Sequence, residues 1–171
     1  MATKLTDRQK ACLVTLQSDD RQRIYKCIDE MQEIGSVALM PAIFDLYQRY
    51  EDDELRNKIQ TFLKDIKDKN APAVFMNELK ERTWTSGLDM MLSVCWQSSL
   101  DFSPHVEDFL LWADSDDMQI QMEALTNVEQ FIFNKNAEGR EKIRSRLKNM
   151  ALDATGKKRE LIMSFLTSIQ G

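Results

Sequence analysis

Few side chains in this sequence have the type and spacing that catalysis needs. The single histidine, His105, follows Ser103-Pro104 in the first turn of an expected helix, where it reads as an exposed surface residue rather than a proton-transfer group. Three cysteines, Cys12, Cys27 and Cys95, are odd in number and far apart, and match neither a disulfide framework nor a CxxC metal clip. They are expected as unpaired thiols in a reducing compartment, and with one histidine they assemble no ordinary zinc set, so no metal and no cofactor is expected. Two acidic pairs, Asp52-Asp53 and Asp116-Asp117, have the chemistry of a general acid and base or of a hard-cation site. Each also stands directly before an apolar-periodic run, where a carboxylate accepts the free N–H groups of a helix start, and capping accounts for their positions. Glu107-Asp108 reads as a solvated face. No glycine-rich phosphate loop, GxSxG elbow or HExxH pair occurs, and the chain is read as non-enzymatic.

Recognition chemistry is better represented. Trp96 shares an apolar stripe with Leu92 and Cys95, and Trp112 follows Phe109 by three, so both read as packing residues. Trp84 lies in a turn between Thr83 and Thr85, the setting of either a lid on a core or an exposed anchor for a partner. Arg140, Arg144 and Lys148 recur every four residues and form one row on a helix, with Lys157, Lys158 and Arg159 opening the next. Such a patch suits an acidic protein or a run of phosphates, although no aromatic residue is interleaved for base stacking. Its plainer reading is a solvated outer face.

These residues must be positioned by helices. Of 171 residues, 43% are hydrophobic and 30% charged, with only 5 Gly and 3 Pro. Good helix formers dominate, and no segment alternates with a period of two. Thr6-Asp7-Arg8-Gln9 is a capping box, and Asp20, Asp52 and Asp117 each precede residues spaced three and four apart. Gly35 is placed to end the second helix, Asn70-Ala71-Pro72 opens another, and Thr85-Ser86 and Ser103-Pro104 are expected to open two more. The spacing predicts ten helices in five pairs, over residues 5–34, 36–67, 71–98, 103–133 and 137–170, as a single all-α domain. The longest apolar stretch, Phe109–Ala113, is far short of the ~20 residues that span a bilayer, and the charged start lacks a signal-like apolar run, so a cytoplasmic protein without membrane contact is expected. The net charge of −5 hides an asymmetry: residues 1–136 hold 15 basic against 24 acidic side chains, and residues 137–171 hold 8 against 4.

Pro41, Pro72 and Pro104 are spaced 31 and 32 apart, Asp20 and Asp52 are 32 apart, and Asp116 follows Asp52 by 64. A fixed step near 30 residues marks a stacked helical repeat. The stretch from Ile34 through Pro41 to Leu46, then Asp52-Asp53-Glu54-Leu55-Arg56 and a close on Leu63-Lys64-Asp65-Ile66, resembles a HEAT-like repeat: an early proline, an acidic turn, an apolar-Arg step and an apolar close. Leu88-Asp89 and Ile120-Gln121 hold the place of Leu55-Arg56 without the arginine, so the motif is clear in one unit and the period in most of the chain.

The resemblance implies a right-handed α-α superhelix whose second helices line a concave face, and family members that are mostly scaffolds for proteins or peptides. The expected groove helices lie near 19–34, 53–67, 86–98, 116–133 and 155–169, with Tyr25, Asp29, Lys58, Gln97 and Gln121, together with Trp84, as candidate partner-binding residues. The expected partner is another protein or peptide. The alternative is a nucleic-acid-binding relative that uses the basic C-terminal helices.

Overall fold

The structure, a computed structural model, describes residues 5–34 and 37–169. Among them are α1 (Asp7–Leu16), α2 (Arg21–Ile34), α3 (Met40–Arg49), α4 (Asp53–Asp65), α5 (Ala71–Glu81), α6 (Leu88–Gln97), α7 (Met118–Ile132), α8 (Ala137–Asp153) and α9 (Gly156–Ser168), and no strand. The protein is all-α.

Local signals set most of the boundaries. Thr6 and Gln9 close a reciprocal capping box on α1. Asp20, Asp52, Asp117 and Asn136 accept backbone N–H groups at the starts of α2, α4, α7 and α8. Pro41 and Pro72 sit in first turns, where a missing N–H costs nothing. Gly35 lies outside the described residues. Thr85 and Ser86 do not open α6 as expected; the helix starts after Gly87, whose φ of +77° and close approach to Tyr47 exclude a side chain, since a Cβ would lie 2.8 Å from the tyrosine ring.

Two further expectations are corrected. The stretch 103–113 is not a tenth α-helix but two 3₁₀ turns, Ser103–His105 and Asp108–Leu111. The N–H groups of His105, Val106, Leu110 and Trp112 each donate three residues back, to Phe102, Ser103, Glu107 and Phe109. This tighter winding aligns residues three apart, which buries Val106 and Phe109 together, with the ring of Phe102 5.9 Å from that of Phe131. Cys12 and Cys27, expected as free thiols, form a disulfide with Cα atoms 6.0 Å apart. The turn at 17–20 folds α2 back along α1, which brings two cysteines 15 residues apart to one level of the hairpin. The reducing-compartment expectation loses the support it drew from unpaired thiols.

The chain divides into two compact units, Met1–Gly87 with Ser98–Leu100 and Leu88–Gln97 with Asp101–Gly171. In the first, α3 packs on α1, α4 and α5, and α2 packs on α1 and α4. Phe44 and Tyr47 of α3, both fully buried, fill the centre with Leu55, Ile59 and Phe75. In the second, α7 packs on α6, α9 and the turn at Asp108–Leu111, and α8 packs on α9. Polar bonds between elements inside the two units reach sequence separations of up to 42 residues, and most of those near 30 lie in the first unit. Tyr50 donates to Asp19 (separation 31), Lys58 to Asp29 (29), Arg56 to Ser86 (30), Lys67 to Ser99 (32) and Asn127 to Leu92 (35).

The cap of α4 also carries a carboxyl whose titration is coupled to folding. The Leu55 N–H, and then Arg21 at 3.0 Å, hold the Asp52 carboxyl below its ordinary value of 3.8. A carboxyl depressed by folding adds stability above its unfolded pKa and loses it as pH falls through the folded one. Asp52→Asn keeps a cap acceptor but removes the charge. The variant is expected to melt below the wild type at about pH 6 and to converge with it in acid, as thermal unfolding across pH would read.

Candidate partner-binding surface

The structure brings three of the candidate residues together. On the face shared by α2 and α4, the half-buried Lys58 ammonium donates to Asp29 and lies 5.6 Å from the centre of the Tyr25 ring. Asp29 and Lys58 line an open groove of about 340 Å³ together with Ile28, Gln32, Thr61, Phe62 and Asp65. The Lys58–Asp29 pair is solvated on the aspartate side, so its contribution is small and its effect is mainly to fix the lysine head over the tyrosine.

The other candidates separate. Gln97 is exposed at the end of α6. Gln121, expected on the open face of α7, is only 2% exposed; its amide donates to the carbonyls of Ala113 and Lys158, satisfying the end of a loop and the first turn of α9. Trp84 is a lid: its indole N–H donates to Leu79, and its ring packs edge-on against Phe44 and Tyr47. Trp96 donates to Glu123.

The basic C-terminal helices are largely engaged inside the molecule. Arg140 donates to the Lys135 carbonyl beyond α7, and Arg144 donates through two nitrogens to the Ile169 carbonyl at the end of α9. The Arg144 guanidinium thus satisfies the C-cap carbonyl of α9, and that of Arg140 a carbonyl in the loop between α7 and α8. Lys158 pairs with Asp114 and Asp116, and Lys142 and Arg146 with Glu107. Lys148, Lys157 and Arg159 are exposed and make no ion pair among the described residues.

Apolar exposure marks a further surface. Met118 and Met122 on α7 are 49% and 43% exposed, and with Leu161, Lys157, Glu160 and Ser164 they line an open groove between α7 and α9. Periodicity does not separate them from the core, because Met118 and Met122 share the spacing of three and four with the buried Leu125 and Val128. Leu152 and Met163 are exposed beside a second groove, between α8 and α9.

Catalytic groups stay dispersed. His105 Nδ1 lies 3.3 Å from Asp108, one turn along its own segment. Asp52 and Asp117 cap helices. Among the described residues no group of three or more His, Cys, Asp or Glu is placed to share a metal ion, and no helix is long and apolar enough to cross a membrane. Comparison with known proteins finds no family model that matches the chain and no matching curated protein.

Proposed function

We propose that the chain is a right-handed α-α solenoid of HEAT-like repeats and a non-enzymatic scaffold, which binds another protein or peptide along its second helices. The repeat reading draws on the order of packing within each unit, where α2 lies on α4 and α7 on both α6 and α9, and on polar bonds recurring 29 to 35 residues apart. The observation that carries the binding reading is the groove between α7 and α9. Two exposed methionines four residues apart offer a polarizable, adaptable apolar surface of the kind that accepts protein side chains. The face of Tyr25, Asp29 and Lys58 supplies a second, more polar contact of the same class.

The nucleic-acid alternative has less to stand on. Of the row Arg140, Arg144 and Lys148, only the lysine keeps its charge free of internal bonds. The test is affinity capture on the full chain from native extract, with and without nuclease, and with the double variant Met118→Glu, Met122→Glu beside the wild type. A defined protein held by the wild type and lost by the variant is the expected result. Recovery that disappears on nuclease treatment would overturn the reading in favour of nucleic acid.

A further inference from the structure

We propose that the groove between α8 and α9 is a docking site for an acidic amphipathic helix of a partner protein, a deepening that rests on the scaffold reading. The floor is made by Ala151 and Leu166, only 3% and 4% exposed, and the small alanine leaves the groove open to about 360 Å³. Its rims carry Leu152, 73% exposed, and Met163, 47% exposed. Lys148 and Arg159 complete the lining.

The two helices run antiparallel, as the bond from Arg144 to Ile169 across the far end requires. Lys148 precedes Leu152 by one turn of α8, and Arg159 precedes Met163 by one turn of α9. The antiparallel arrangement therefore sets each cation beside the apolar side chain of the opposite rim, one pair at each end of the groove. An occupant that satisfies this pattern has an apolar stripe with residues three and four apart and carboxylates on both flanks, which is an amphipathic helix lying between two others.

Charge selects the acidic form. Arg140, Lys142, Arg144, Arg146 and Lys158 on the same helices are held by carbonyls or carboxylates of this chain. Lys148 and Arg159 make no ion pair among the described residues, and the neighbouring acids Asp153 and Glu160 do not line the groove. Phosphates would leave the apolar rims uncovered, and no aromatic residue is among those lining the groove to stack on a base.

The test is fluorescence anisotropy with the full chain and a labelled peptide of about 18 residues, in which leucines spaced three and four apart face one side and glutamates occupy the rest. Micromolar binding is expected, weakened about tenfold or more by Leu152→Gln with Met163→Gln, and likewise by Lys148→Glu with Arg159→Glu. All four side chains are solvent-facing, and circular dichroism verifies that the variants keep their helices. Equal binding of a scrambled peptide, or of one with lysines for glutamates, would overturn the proposal, as would no binding at all. Binding lost in the Met118→Glu, Met122→Glu variant but kept in the Leu152→Gln, Met163→Gln variant would move the site to the α7 and α9 groove, which ends this proposal and leaves the scaffold reading standing.

Discussion

Arg82→Ala is expected to destabilise the first unit by about 3 kcal/mol, read as a lower midpoint in urea or thermal unfolding. Arg82 follows α5 and ties it to α3. Its guanidinium bonds Glu78 at 2.5 and 2.8 Å, Asp45 at 2.6 Å, Gln48 at 3.2 Å and the Pro41 carbonyl at 3.0 Å, while lying 5.7 Å from the centre of the Phe44 ring. Burial alone would lower its pKa; the bonds it donates to Asp45 and Glu78 outweigh that and raise it. The magnitude comes from the partner left behind. Glu78 is 13% exposed and would keep a charge with little water around it, whereas Asp45, 70% exposed, loses little. Pairing Arg82→Met with Glu78→Gln should recover much of the loss, because it removes the stranded charge and retains an apolar stem over Phe44. A loss below about 0.5 kcal/mol for Arg82→Ala would show that this bond set is solvated and dispensable.

Reduction of the Cys12–Cys27 disulfide is expected to have an effect of similar size. The bridge closes a loop with a sequence separation of 15, for which the loss of unfolded-state entropy corresponds to roughly 3 kcal/mol. The melting transition of the first unit should fall by on the order of 10 °C with reductant. Thiol titration gives the chemical counterpart. Cys95 is fully buried, and desolvation raises its pKa well above the ordinary thiol value, so the native oxidised chain should react slowly or not at all. Unfolded without reductant it should titrate as one thiol, and with reductant as three. Three without reductant would exclude the bridge.

What the sequence made legible is what depends on near neighbours. Thr6 with Gln9, and Asp20, Asp52 and Asp117, cap helices through residues two or three positions on, and their roles follow from local order alone. The 3₁₀ winding after Pro104 did not follow, because the same apolar spacing serves both helix types until the rings of Phe102, Phe109 and Phe131 fix one of them. The disulfide needed the α1–α2 hairpin as well as the residue types. Among the candidate binding residues, Lys58, Asp29 and Tyr25 meet because α2 packs against α4. Gln121, Arg140 and Arg144 looked like surface chemistry because periodicity reports which face a residue occupies and is silent about the loop and helix-end carbonyls that tertiary packing brings within its reach.

The membership of Ser98–Leu100 in the first unit, between stretches that belong to the second, has a consequence for how the chain can be inherited and divided. The polypeptide passes from one unit to the other after Gly87, after Gln97 and again after Leu100. A cut after Gly87 keeps every residue of the second unit but takes Ser98–Leu100 from the first, and with them the Ser99 hydroxyl that accepts from Lys67. A cut after Leu100 keeps the first unit and takes α6 from the second. No single cut therefore yields both units whole, and a half-chain exchanged at either place carries one unit intact and leaves the other incomplete.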